Sequence, residues 1–219
     1  MGEGRGRPRR LVLASGNAHK VMELRRMLQT AVPGLEVLGQ RDFGEPPIIE
    51  ETASTFEGNA RLKAEGIAAW LRQQGEARDT VVLADDSGVC VDALGGAPGV
   101  RSARFAGDDA TDEDNNAKLV EQLTARGLRA SAGHYACVLS LVRVDGGIVP
   151  GFGALGGRFE GRWDVELRVE RRGTGGFGYD PHAWLPDGRT VAELGPDDKA
   201  ARSHRGEATR GLLAWLTAL

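Results

Sequence analysis

The chain has 219 residues, of which 41% are apolar and 27% charged, with a net charge of −3. This is the balance of a globular domain, and its acidic sign argues against a nucleic-acid polymer as partner. No apolar run approaches the about 18 residues needed to cross a membrane, so no membrane partner is expected. Cys90 and Cys137 are too few and too far apart for a disulfide framework or a zinc site, which suits a reducing cytoplasm. Glycine fills 32 positions, about 15% and roughly twice its usual share, and it gathers at candidate loops.

Residues 1–9 are rich in Gly and Arg with no hydrophobic segment behind them, and read as a disordered tail rather than a secretory signal. Residues 10–219 read as one domain. Leu11-Val12-Leu13-Ala14 is a short strand, and a helix with Val21, Leu24 and Leu28 on one face runs on to Pro33-Gly34. Between them lies Ser15-Gly16-Asn17-Ala18-His19-Lys20. Free N–H groups at a helix start favour an anion, and Gly16 and Lys20 suit a phosphate. Ser15 or Asn17 serves equally well as a plain helix cap, with Lys20 in solvent. Residues 35–38 form a second strand. Ile48-Ile49-Glu50-Glu51 then leads to a helix of about 20 residues, capped by Ser54 or Thr55, with Phe56, Ala60, Ala64, Ile67 and Leu71 as its apolar stripe. Asn59 and Lys63 are four apart and share a face of it.

Val81-Val82-Leu83-Ala84 runs straight into Asp85-Asp86-Ser87-Gly88. Unpaired carboxylates are very costly in a dry environment, so such a pair is ion-paired, metal-bound or wet. The expectation is a strand ending at Asp85 and Asp86, with a turn at Ser87-Gly88; a site floor and a simple polar turn both fit. A Gly/Pro-punctuated loop fills residues 92–107, and Thr111 caps a helix carrying Leu119, Val120 and Leu123. Residues 136–144 form a long strand that Asp145-Gly146-Gly147 turns into a hairpin. Residues 149–157 are Gly-rich, and Val165, Leu167 and Val169 alternate as on a half-exposed strand. Gly173-Thr174-Gly175-Gly176-Phe177-Gly178-Tyr179-Asp180-Pro181 can wrap a flat ligand against Phe177 or Tyr179, or fill core with them. The last helix carries Leu212, Leu216 and Leu219. Lys199, His204 and Arg205 crowd its N-terminus, where the helix dipole disfavours positive charge, so an anion or a carbonyl ligand, or plain exposure, must account for them.

Six segments in order resemble one family: Ser15-Gly16-Asn17-x-x-Lys20, Phe56-x-x-Asn59-Ala60-x-x-Lys63-Ala64, Ala84-Asp85-Asp86-Ser87-Gly88, Gly95-Gly96-Ala97-Pro98-Gly99-Val100-x-Ser102-Ala103-Arg104, Gly175-Gly176-Phe177-Gly178-Tyr179-Asp180-Pro181 and Ser203-His204-Arg205-Gly206. Across residues 10–219 the chain is similar to the inosine triphosphate pyrophosphatases, also called XTP/dITP diphosphatases. The departures are the Arg-rich tail, Ser15 where Thr is common, and a short charged stretch near residues 158–172. The resemblance implies an α/β fold, an elongated mixed sheet flanked by helices, in two lobes with a central cleft. It also implies a cytoplasmic homodimer that hydrolyses XTP, ITP and dITP to the monophosphate and pyrophosphate with Mg²⁺, cleansing the nucleotide pool.

Carried onto this chain, the resemblance makes Asp86 metal ligand and proton acceptor, with Lys20 and Lys63 against the triphosphate. Glu50 would join Asp86 as a metal carboxylate, with Asp85 and Glu51 as the neighbouring acids of the metal site. Residues 15–20, Asn59 and Ser87 would hold substrate, Phe177 would stack on the purine, and Gly178, Tyr179 and Asp180 would shape its pocket. Lys199, His204 and Arg205 would face the base edge. A donor such as Arg205 suits the 6-keto group of inosine and xanthine and is left unpaired by adenine. The related Maf-type pyrophosphatases fit less well, because the segments at 175–181 and 203–206 are foreign to them. A binding module without turnover would gain little from four carboxylates beside a triphosphate.

Overall fold

The structure, a computed structural model, describes residues 8–76, 79–152 and 156–219. The tail read over residues 1–9 therefore falls, up to residue 7, outside the described residues. Six strands form one sheet in the order β2-β1-β3-β4-β5-β6. Strand β1 (Arg10–Ala14) pairs in parallel with β2 (Glu36–Gly39) and with β3 (Thr80–Val91), while β5 (Gly157–Arg168) pairs antiparallel with the two-residue β6 (Ala183–Trp184). Strand β4 (Ala130–Arg143) lies between β3 and β5. With the helices α1 (Ala18–Ala31), α2 (Phe56–Gln73), α3 (Asp112–Ala125), α4 (Pro196–Arg202) and α5 (His204–Thr217), this is a mixed α/β fold.

The chain divides into two compact units. One is built from Met1–Asp86, Val138–Glu160 and Ala208–Leu219, the other from Ser87–Cys137 and Gly161–Glu207. In the first, Val12 and Ala14 of β1 and Val82 and Ala84 of β3 pack against Ala64, Ile67, Ala68 and Leu71 of α2. Burying one Ile or Leu side chain is worth about 1.5–3 kcal/mol, so this apolar stripe, rather than helix propensity, holds α2 in place. In the second, Val89, Val91, Leu119, Leu123, Tyr135, Val165, Leu167 and Leu185 form the core.

Helix starts follow local chemistry. The side chains of Asn17 and Thr55 accept from the backbone N–H groups of Lys20 and Gly58. Thr111 and Asp114 form a reciprocal capping box.

Three expectations are corrected. Strand β3 does not stop at the two aspartates but continues through Ser87 and Gly88 to Val91. Gly88 permits this: a Cβ there would lie 2.3 Å from Ser102 Oγ and 2.5 Å from the Gly99 carbonyl oxygen. Ser102 Oγ also accepts from the Val89 N–H at 2.9 Å, pinning the strand to that loop. Strand β5 begins at Gly157, well before the alternation at Val165; the sequence hides this start because two of its three buried positions there, Gly157, Phe159 and Gly161, carry no side chain to read. Its link from β4 is accordingly longer than a tight hairpin. Leu219 lies beyond the end of α5 and is exposed.

His182 illustrates how burial shapes acid stability. It is buried, with Nδ1 2.8 Å from the Arg168 carbonyl oxygen. Burial, joined by Arg171, holds its pKa below the ordinary 6.5, although the Arg168 carbonyl and Glu113 pull the other way. The unfolded chain therefore takes the proton first as pH falls. Stability that is full above 6.5 is lost as pH drops through the depressed value. His134, lowered mainly by its own burial, acts in the same direction. The melting temperature of wild type should fall between about pH 7.5 and about pH 5, and His182→Gln should flatten that fall. Parallel curves for the two proteins would exclude His182 as a source.

Candidate active site

In the first unit, β3 carries Asp85 and Asp86 into the interior, where they are 2% and 4% exposed. Alternation along the strand sends the two carboxylates to opposite faces, and each meets its own lysine. Lys20, in the first turn of α1, places Nζ 2.9 Å from Asp85 Oδ1. Lys63, from the middle of α2, donates from Nζ to Asp86 Oδ1 at 2.8 Å and lies 3.2 Å from Glu51 Oε1. Burial opposes the charge on Lys63, but Asp86 and then Glu51 hold its pKa above the ordinary lysine value. Burial likewise pushes the Asp86 carboxyl upward, against the pull of Lys63 and Lys20.

The other oxygen of Asp86, Oδ2, is buried and has no hydrogen-bond partner. A buried carboxylate oxygen left bare is costly unless a cation or a proton reaches it. Nearby in sequence, Asn59 is fully buried, accepts from the Ala53 N–H at 2.9 Å through Oδ1, and leaves Nδ2 without a partner. Glu50 is exposed. Among the described residues no three His, Cys, Asp or Glu side chains converge into a ready metal cage. The four acids named from sequence are instead distributed: Asp85 on Lys20, Asp86 and Glu51 on Lys63, and Glu50 in solvent. In the loop ahead of α1, Ser15 Oγ accepts from the Asn17 N–H at 3.2 Å, and Gly16, Asn17, Ala18 and His19 are exposed.

The second unit assembles a different group around Asp180, which is buried. Its Oδ2 accepts from Lys199 Nζ at 2.7 Å and from the Phe177 N–H at 2.9 Å, and its Oδ1 accepts from the Tyr135 hydroxyl at 3.0 Å. Lys199 Nζ stands 4.4 Å from the Phe177 ring centre and the Arg205 guanidinium 5.7 Å from it. Arg205 is 1% exposed, and its Nη2 donates to Ser87 Oγ at 2.8 Å. His204 stacks on Tyr135, with ring centres 4.9 Å apart and planes within 8°. The cations at the start of α5 are therefore turned toward partners rather than left in solvent. Tyr179 donates through its hydroxyl to the Ser102 carbonyl at 2.8 Å, and the Gly178 carbonyl accepts from Asn116 Nδ2 at 2.9 Å.

Two glycines are required here by space. Gly176 has φ +72°, and a Cβ on it would lie 2.1 Å from Asp180 Oδ2. A Cβ on Gly206 would lie 1.8 Å from the Ala200 carbonyl oxygen, so only glycine lets the first turn of α5 meet α4.

The first group offers partly buried cations beside buried carboxylates, one with a bare oxygen, which suits an anionic substrate with a divalent ion. The second offers an aromatic face of intermediate exposure, flanked by an ammonium and a guanidinium, which suits a flat ligand with acceptor groups on its edge. The sequence reading does not single out Tyr135 or Asn116, and it names Ser102 only within a family segment. Tyr135 lies ahead of the strand expected over residues 136–144, which the structure extends back to Ala130, and its hydroxyl contact distinguishes it.

Comparison with known proteins identifies the family. A family model, that of the Ham1 family, matches residues 11–215. The dITP/XTP pyrophosphatase of Chromobacterium violaceum is 46% identical over 210 residues, covering 95% of this chain and 98% of the relative. That of Exiguobacterium sibiricum is 43% identical over 209 residues, covering 95% and 97%. A solved HAM1 protein from Coxiella burnetii superimposes with a TM-score of 0.79 at 39% identity, over 96% of this chain and 99% of that one. The chain belongs to the Ham1 family.

Proposed function

We propose that this protein is a nucleoside-triphosphate pyrophosphohydrolase that converts XTP, ITP and dITP to the monophosphate and pyrophosphate, acting with Mg²⁺ as a cytoplasmic homodimer. The observation that carries the chemistry is the pair of contacts between partly exposed lysines and buried aspartates, with a bare oxygen on Asp86. Relatives named dITP/XTP pyrophosphatase support the substrate class.

Mg²⁺ takes one or two carboxylates, with phosphate oxygens and waters filling the rest of its octahedron, so the lack of a three-acid cage is no obstacle. Asp86 would be its principal ligand, with Glu51, Glu50 and Asp85 as the neighbouring acids. The ion supplies Lewis-acid polarisation of the phosphate oxygens and lowers the pKa of water. Asp86 orients the attacking water and takes its proton. The oxygen of that water bonds to the α-phosphorus, the bond from the α-phosphorus to the bridging oxygen breaks, and pyrophosphate leaves with the electron pair. Lys20 and Lys63 balance the negative charge that shifts onto the departing group, and positioning of this kind carries most of the catalysis in phosphoryl chemistry. Residues 15–20, Asn59 and Ser87 hold phosphate oxygens. Phe177 stacks on the purine, Gly178, Tyr179 and Asp180 shape its pocket, and Lys199, His204 and Arg205 face its keto edge.

Pyrophosphate release should be fast with ITP and XTP, slow with ATP and GTP, abolished by EDTA and restored by Mg²⁺; GTP shares the 6-keto group, so its rejection acts on the 2-amino group and not through Arg205. Orthophosphate as the product would discard the assigned bond. Equal use of all four nucleotides would discard the base filter. Nucleotide binding without any product would make the protein a binding module.

A further inference from the structure

We infer that Tyr135 is a positioning residue for purine recognition, acting through Asp180. The inference rests on the function proposed above and adds a residue to it.

The Tyr135 side chain is buried in the core of the second unit, among apolar side chains that include Val89, Leu119, Val165 and Leu167. A phenylalanine would satisfy that packing. The hydroxyl is therefore unneeded by the core, and it points at Asp180 Oδ1, 3.0 Å away. Asp180 fixes two elements of the candidate base site at once. Its Oδ2 accepts from Lys199 Nζ at 2.7 Å and from the Phe177 N–H at 2.9 Å. A carboxylate with a donor on only one oxygen can rotate about its terminal bond, which is soft. A second donor on the other oxygen locks that rotation. The Tyr135 hydroxyl supplies this lock, and it stays protonated because burial, then the adjacent Asp180 charge, hold its pKa well above the ordinary tyrosine value.

The same ring stacks on His204 at 4.9 Å and 8°. One side chain thus fixes the carboxylate that holds Lys199 and Phe177, and gives His204 a flat surface to rest on. These are three of the residues assigned to the base and its edge. Tyr135 belongs to the second unit, whereas Lys20, Lys63, Asp85 and Asp86 belong to the first. Its influence should fall on how the base binds and not on how the phosphate bond breaks.

The test is Tyr135→Phe, which keeps the ring, the core packing and the His204 stack and removes only the hydroxyl. KM for ITP and for XTP should rise about tenfold, the order expected for one hydrogen bond to a charged group. The kcat should stay within about twofold, and inhibition by inorganic tripolyphosphate, which has no base, should be unchanged. In the Asp180→Asn background, Tyr135→Phe should have little further effect on KM, since both act along one path. An unchanged KM, an equal loss toward tripolyphosphate, or additive effects in the double variant would each overturn the positioning role while leaving the pyrophosphatase reading intact. If wild type turns over neither ITP nor XTP, that reading fails and this inference fails with it.

Discussion

Asp86→Asn is expected to leave a folded protein whose kcat on ITP is lower by about 10³-fold or more, the range associated with losing a positioned base together with a metal ligand. The substitution keeps the shape of the side chain. It removes the charge that Lys63 pairs with at 2.8 Å, and it replaces one carboxylate oxygen with an amide nitrogen that cannot bind a cation. Removing one partner of a buried ion pair often destabilises severely by stranding the other charge. Lys63 is not stranded here, because Glu51 Oε1 lies 3.2 Å from the same ammonium and the lysine side chain retains 15% exposure. Asp86 also loses the burial cost that pushes its own pKa upward. The melting temperature should accordingly move by no more than about 4 °C, a change of about 1 kcal/mol in a chain of this size. Steady-state turnover and a thermal melt on one preparation decide the matter. Near-normal turnover would remove Asp86 both as metal ligand and as base.

Arg205→Ala should raise KM for ITP by about 100-fold, the upper range for losing a charged donor from a site built to pair with its ligand. The guanidinium is almost wholly enclosed, held by Ser87 Oγ at 2.8 Å and close to the Phe177 ring. A 6-keto purine stacked on that ring can accept from it, whereas the 6-amino group of adenine cannot. Alanine also empties the space filled by the arginine stem, and that costs packing as well as charge. Arg205→Met separates the two effects, because it keeps most of the stem and loses every donor. If the guanidinium reads the base edge, Met and Ala share the KM defect while Met melts higher. An unchanged KM with normal kcat in Arg205→Met would exclude Arg205 from the base edge and reduce it to a brace for Ser87.

The sequence by itself determined the elements whose causes are local. The strand at Leu11–Ala14, the helix that Asn17 caps, the α2 stripe behind Thr55 and the capping box of Thr111 and Asp114 each rest on side chains within one turn of each other. It also named the chemical residue types, since Asp-Asp after an apolar strand and a lysine on a helix face stand out without coordinates. The tertiary structure decided what these residues do to one another. Asp85 and Asp86 point to opposite faces of a continuing strand, so they divide between Lys20 and Lys63 instead of gathering the acids into one cage. Strand β3 continues because Gly88 leaves room for Ser102, and the first half of β5 is hidden in the sequence because two of its three buried positions are glycines. Tyr135 falls outside the strand expected from residue 136 onward, and only the fold brings Asp180 to its hydroxyl. Capping and periodicity act over three or four residues and are written in the chain, whereas ion pairing and close backbone approach join residues far apart along it and exist only once the sheet has formed.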